Sequence, residues 1–237
     1  MNMSYAELEP YFEKLTQIAS TSTNVVGVCV PSVYLNLAKY ALEGSKVLYG
    51  AENMHYEDKG AFTGEISADM IMDFNSDLVI IGHSERRQYF KETDSEINLK
   101  VKKALEKGIT PILCFGETLD ERNNNMAYTV VENQLMGALK DLEGDELERI
   151  IFAYEPVWAI GTGVSATSAQ AEEMISFAKR ILSEQFEINN SIMLYGGSLK
   201  ASNADEILNE KSIDGGLIGG ACLKIDEFEQ IINTKVE

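Results

Sequence analysis

The segment IIFAYEPVWAIGTG, Ile150–Gly163, decides how the chain is read. Its opening run, Ile150–Tyr154, is apolar throughout and of strand length, and it ends on a carboxylate, Glu155, followed at once by Pro156. A strand apolar at every position has to be covered on both faces, the condition of a parallel sheet flanked by helices. A charge at the carboxyl end of such a strand lies where parallel α/β folds gather their functional groups. The residues that follow, Pro156–Trp158 and then Gly161 and Gly163, read as a flap that is stiff in the middle and jointed at its ends.

Working outward, the same pattern recurs. Strand-like runs fall at Val25–Val30, Lys46–Ala51, Leu78–Gly82, Thr110–Phe115, Ile192–Tyr195 and Gly215–Ile218. Helical patterns lie between them. Glu96–Lys107 puts Ile97, Val101, Ala104 and Leu105 on one face and stops at Gly108. Thr167–Gln170 reads as a capping box opening a helix that runs through Ile181 and Leu182. The chain begins with a helix, about Tyr5–Ala19, before any strand. The order is one helix and then seven strand–helix units, whereas a closed parallel barrel of this type has eight. The expected fold is α/β, a (βα)8 barrel here without its first strand. Residues 1–237 form one N-terminally incomplete domain, and the two strands beside the gap carry unpaired edges. No Gly-x-Gly-x-x-Gly turn follows the first strand, so a dinucleotide fold has no support.

Charge narrows the partners. Thirty-eight acidic residues against 20 basic ones give a net charge of −18, which argues against nucleic acid and anionic membranes. No apolar run is long enough to span a bilayer, and the N-terminus lacks the basic and apolar regions of a secretory signal. Cys29, Cys114 and Cys222 have no metal-like spacing and read as small buried hydrophobes in a reducing, cytoplasmic setting. The two histidines, His55 and His83, are too far apart for a local metal motif.

The strand ends carry the chemistry. His83 closes LVIIGH ahead of SERR, so its imidazole would sit at a helix start. The dipole there lowers its pKa and keeps it neutral near pH 7. Glu155 reads as a carboxylate base, effective if a closing flap excludes water. Glycine pairs at three late strand ends, Gly161 and Gly163, Gly196 and Gly197, and Gly219 and Gly220, suit backbone N–H groups approaching an anion, and Ser198 adds a hydroxyl. Glu85 could pair with a cation, and Arg86 and Arg87 could make structural ion pairs.

Six segments in order, GAFTGEIS (Gly60–Ser67), IGHSERR (Ile81–Arg87), PILCFGET (Pro111–Thr118), YEPVWAIGTG, YGGS (Tyr195–Ser198) and GLIGGACL (Gly216–Leu223), together resemble the triosephosphate isomerase family. The glutamate base, neutral histidine and closing loop of that family are a standard worked case. The resemblance implies a TIM barrel and an enzyme that interconverts dihydroxyacetone phosphate and D-glyceraldehyde 3-phosphate through an enediolate, in glycolysis and gluconeogenesis. It implies no metal and no cofactor. Position by position, it makes Glu155 the base and His83 the electrophile, and gives supporting roles to Glu85 and Cys114. It assigns Gly161, Ser198, Gly219 and Gly220 to the substrate phosphate. Pro156, Val157, Trp158, Ala159, Ile160, Gly161 and Thr162 form the lid, and Thr63 lies at the interface of a homodimer.

One family feature has no counterpart. Members open with a strand ending in Asn-x-Lys-Met-Asn, and here Met1 and Asn2 look like its tail. The lysine would face both the substrate phosphate and the oxyanion, and losing one oxyanion donor typically costs about 10²–10³ in rate. The simpler account is a start site or truncation that omits the segment. The alternative reading is a catalytically impaired phosphate-binding scaffold; a weaker third is a barrel acting on another phosphorylated metabolite.

Overall fold

The computed structural model describes residues 1–160 and 165–236. Seven strands are found among them: β1 (Gly27–Val30), β2 (Leu48–Ala51), β3 (Leu78–Ile81), β4 (Thr110–Phe115), β5 (Ile151–Tyr154), β6 (Ile192–Tyr195) and β7 (Gly215–Gly216). The helices are α1 (Tyr5–Thr21), α2 (Leu35–Leu42), α3 (Ala68–Met72), α4 (Ser84–Tyr89), α5 (Asp94–Lys107), α6 (Leu119–Asn123), α7 (Ala127–Ala138), α8 (Ser168–Phe186), α9 (Ala204–Leu208) and α10 (Ile225–Ile232). Every strand pairs parallel with the next in chain order, so the sheet runs β1 to β7 without a crossover and curls as a TIM barrel does.

The expected elements appear, with shifted ends. The expected first strand from Val25 begins at Gly27, although the Val26 carbonyl still accepts from Leu48 N–H. The expected Leu78–Gly82 ends at Ile81, because Gly82, at φ +73°, turns the chain into α4. The last strand is only Gly215–Gly216; two glycines at a sheet edge have no side chains to pack, and single bonds from Asp214 N–H to the Met193 carbonyl and from Leu217 N–H to the Tyr195 carbonyl extend it. α5 starts at Asp94, two residues before the expected start, under a Thr93–Glu96 capping box; Gly108, at φ +79°, ends it. The Thr167–Gln170 box caps α8 as expected.

The alternation along each strand divides the apolar residues into two layers. Val79, Ile81, Leu113, Phe115, Phe152, Tyr154, Met193 and Tyr195 point outward into a large, well-covered layer beneath the helices. Each such side chain contributes roughly 1.5–3 kcal/mol on burial. Leu78, Ile112, Cys114 and Ala153 point inward, packed by Cys29, Leu48, Ile80, Ile151, Leu194 and Leu217, which are only partly covered. Among the described residues β1 and β7 pair with no further strand on their outer edges. Their helices do close the curl: Tyr11 donates to the Cys222 carbonyl at 2.7 Å, Asn24 to the Ile232 carbonyl at 2.8 Å, and Lys14 pairs with Asp226. Cys29 and Cys222 are therefore half-buried rather than buried as expected, since each lies by the sheet's open side; Cys114, mid-sheet, is fully buried.

Candidate active site

Continuing the inward register of β5, Ile151 and Ala153 are followed by Glu155, at the carboxyl mouth of the barrel. The side chain is 1% exposed. Three donors hold the buried carboxylate, as burial of a charge demands. Ser84 N–H reaches Oε2 at 2.8 Å, Ser84 Oγ reaches Oε1 at 3.1 Å, and His83 Nε2 lies 3.0 Å from Oε1. Residues 71 and 72 positions apart in sequence thus meet at one carboxylate.

Glycines make the room. A Cβ at Gly196 would lie 2.9 Å from Glu155 Cγ, and one at Gly116 only 1.8 Å from the Glu155 carbonyl oxygen. Gly197 would strike the Tyr195 hydroxyl and Pro156. The Gly196–Gly197 pair, expected as anion glycines, thus carries a packing demand of its own. Gly219 and Gly220 differ: among the described residues nothing lies within 4 Å of a Cβ at either, and Gly219 precedes a 3-10 turn, Gly220–Leu223, in which Cys222 N–H bonds back to the Gly219 carbonyl. Ser198 Oγ donates to the Ala159 carbonyl at 2.6 Å, tying β6's exit to the segment after β5. Gly161 and Thr162 lie outside the described residues. Pro156–Ile160 form a 3-10 turn over Val157–Ala159, with Ala159 buried.

His83 caps α4, and its Nδ1 accepts the Glu85 N–H at 3.3 Å. That bond leaves the ring proton on Nε2, facing Glu155. Burial disfavours the imidazolium, but the hydrogen bond to Glu155 and the charges of Glu155, Glu85 and Glu52 outweigh it and raise the pKa above the ordinary value. The sequence predicts the opposite direction from the helix dipole alone; it does not see that the carboxylate faces the ring. Glu85 is largely exposed, its carboxylate 4.0 Å from Nδ1. Among the described residues no lysine or arginine pairs with Glu85 or Glu155. Cys114 is pushed well above the usual thiol range by burial and by the nearby Glu155 charge, so it is a neutral packing group beside the carboxylate.

Two residues that sequence reasoning passed over, Ser84 and Glu117, belong here, together with Arg87, which makes a structural ion pair as expected. Ser84 supplies two of Glu155's bonds. Arg87 donates to the Gly82 and Cys114 carbonyls and pairs with Asp94, which fixes the β3–α4 turn. Glu117, wholly buried, accepts from Tyr154 Oη, Trp158 Nε1 at 2.8 Å and Arg122 Nη1 at 2.9 Å, and so roots the segment after Glu155. Thr63 lies in an exposed segment where Phe62 packs on His55, with ring centroids 4.4 Å apart.

A buried carboxylate beside an imidazole at the carboxyl mouth of a parallel α/β barrel, with an uncrowded glycine pair on a late strand end, defines a barrel enzyme of proton-transfer type. The particular family follows from comparison. The family model described as triosephosphate isomerase matches residues 1–235, and the chain belongs to that family. It is 47% identical over 236 residues to the triosephosphate isomerase of Alkaliphilus metalliredigens, covering 98% of this chain and 95% of that one. It is 44% identical over 236 residues to that of Clostridium perfringens, with the same shares covered. The crystal structure of triosephosphate isomerase from Bartonella henselae superposes with a TM-score of 0.89 at 38% identity, covering 99% of this chain and 94% of that one.

Proposed function

We propose that this chain is a triosephosphate isomerase, moving a proton between adjacent carbons of a phosphorylated triose and so interconverting dihydroxyacetone phosphate and D-glyceraldehyde 3-phosphate. The observation that carries the reading is Glu155: a buried carboxylate held by Ser84 N–H and 3.0 Å from His83 Nε2. Among the described residues no lysine or arginine neutralises it, so it is free to act as a base once it leaves Ser84. Its oxygens reach the substrate carbon by exchanging those bonds for contact with the ligand. His83 Nε2–H then donates to the carbonyl oxygen, stabilising the charge that develops there without becoming a full acid. Gly219 and Gly220, which a Cβ would find uncrowded among the described residues, suit close approach of the phosphate to the backbone, with Gly161 and Ser198 completing its cradle. The segment from Pro156 to Thr162 closes over both, and Trp158 is its anchored root. Glu85 and Cys114 support His83 and Glu155 respectively.

The chain acts as a single domain and a homodimer in the cytoplasm, serving glycolysis and gluconeogenesis. Thr63 lies in the interface, and the exposed Phe62, Tyr89 and Phe90 side chains support an association surface. The experiment is incubation with dihydroxyacetone phosphate in deuterated water. Deuterium appears at the substrate carbon in step with isomerisation and is lost in Glu155→Gln. Isomerisation without label, or label undiminished in that variant, overturns the reading.

A further inference from the structure

Past Ile81 the sheet loses a strand locally. Gly82 turns β3 away into α4, while β4 and the residues after it keep pairing with β5. Glu155 N–H reaches the Phe115 carbonyl at 2.7 Å, and Val157 N–H reaches the Glu117 carbonyl at 3.1 Å. Odd-numbered positions here face β5. Even-numbered ones face β3, as the bond from Thr110 N–H to the Asp77 carbonyl shows. The Ile81–Leu113 pairing carries the β3 ladder as far as the Cys114 N–H; from the Cys114 carbonyl onward, among the described residues, the even positions have no strand to bond. A parallel ladder leaves both an N–H and a C=O wanting partners at such a place.

Side chains take the strand's place. The Cys114 carbonyl accepts from Arg87 Nη2 at 3.2 Å. At Gly116 one residue does the work of a whole strand position. Gln134, half-buried on α7, accepts the Gly116 N–H through Oε1 at 2.8 Å and donates through Nε2 to the Gly116 carbonyl at 3.1 Å. Gly116 is also where the backbone runs tightest against Glu155, since a Cβ there would lie 1.8 Å from the Glu155 carbonyl oxygen. Its neighbours on either side, Phe115 and Glu117, bond the backbone of Glu155 and Val157.

We propose that Gln134 is a positioning residue for Glu155, a surrogate for the departed β3 that holds Gly116 so that the ladder sets the carboxylate and the root of the following segment. It touches no substrate. The inference deepens the isomerase reading and rests on it. A carboxamide is the natural group for the task, because it alone among short side chains offers a donor and an acceptor in one plane, as a peptide does. A displacement of about 1 Å at the base can cost on the order of 10²-fold in rate.

The test uses Gln134→Glu, which keeps the acceptor for Gly116 N–H and loses the donor, and Gln134→Leu, which loses both. Val131→Ala on the same helix, a buried apolar side chain with no hydrogen bond to give Gly116, is a destabilised control. The expected result is a fall in kcat of about 5-fold for Gln134→Glu and 10- to 100-fold for Gln134→Leu, with KM within about twofold of the parent and Val131→Ala at parental kcat. Amide exchange read by mass spectrometry over residues 113–118 and 152–157 should speed up in both Gln134 variants and not in the control. Equal kcat in all three variants, a rise in KM alone, or unchanged exchange at 152–157 overturns the proposal. Insolubility of both Gln134 variants beside a soluble Val131→Ala also overturns it, by making Gln134 a folding element. A parent chain without isomerase activity whose exchange at 152–157 still depends on Gln134 sinks the functional reading and leaves the positioning role standing.

Discussion

Two buried carboxylates sit at the same mouth of the barrel, on neighbouring strand ends, and are kept differently. Glu117 follows β4 and is saturated: Tyr154, Trp158 and the Arg122 guanidinium all donate to it, and Arg122 also stacks on the Trp158 ring, 5.1 Å from its centroid. Glu155 follows β5 and, with no guanidinium or ammonium on it among the described residues, receives a backbone N–H, a hydroxyl and an imidazole. A carboxylate locked to a guanidinium has its charge spoken for and serves as an anchor. One held without a guanidinium can exchange its donors for a substrate. The difference teaches that burial alone does not mark a base; the kind of partner does.

The largest expected effect breaks the symmetry at Glu155. Glu155→Gln keeps the shape and removes the base, so kcat should fall about 10²–10⁴-fold with little change in KM, measured by a coupled assay in both directions. Should Glu117→Gln cost as much in kcat, the division of labour drawn above is wrong.

Glu117→Gln should act mainly on stability. It weakens the bond to Arg122 and leaves one of the converging donors poorly matched, a loss of about 1–3 kcal/mol. Urea unfolding should show a lower midpoint with an unchanged slope. Because Trp158 loses its anchor, kcat should also drop, by about tenfold or less. A larger fall in kcat than in stability would recast Glu117 as part of the chemistry.

Gly196→Ala separates room from charge. Its Cβ would press on Glu155 Cγ at 2.9 Å, and overpacking of this kind costs about 1–3 kcal/mol. A kcat about tenfold lower with native-like circular dichroism is expected, because the base is displaced while the barrel survives. Gly108→Ala is the control: it strains a left-handed C-cap at φ +79° with nothing near its Cβ, so stability falls by roughly 1 kcal/mol and kcat stays put.

Much of this was legible in the sequence. Glu155 and His83 stand out because each ends an apolar run, and strand ends are where a parallel barrel works. The fold shows for the same reason, since runs such as Leu113–Phe115 are apolar on both faces. Glu117 was invisible: it is one of 38 acidic residues, and its partners come from β5, α6 and the Trp158 turn, up to 41 positions away. Gln134 was hidden likewise, its role existing only because β3 leaves early. The glycines were legible only in part. Gly196 and Gly197 look like anion glycines, and only the packing shows what a Cβ there would strike. The pKa of His83 was read from its own helix, whereas the group that decides the direction lies 72 residues on.

The smallest expected effect is on the thiols, and it reports on the same two carboxylates. Burial pushes Cys29 up to about 12 and Cys222 to about 11, while burial and then the Glu155 charge push Cys114 well above the ordinary range. A thiol whose folded pKa is raised stabilises the fold fully below its unfolded value, roughly 8.5. That contribution is lost as pH climbs above it toward the folded value, so urea midpoints should fall steadily from about pH 9 toward 12. Below pH 9 the native thiols should resist alkylation and react only with unfolding. Glu155→Gln removes the carboxylate charge that faces Cys114, so modification at that residue alone, read by peptide mass, should quicken modestly at high pH. Glu117 is not among the groups acting on Cys114, and Glu117→Gln should leave its rate unchanged once the loss of global stability is subtracted. Equal acceleration in the two variants would mean that unfolding, not the local charge, governs the thiol, and the contrast between the carboxylates would lose its electrostatic half.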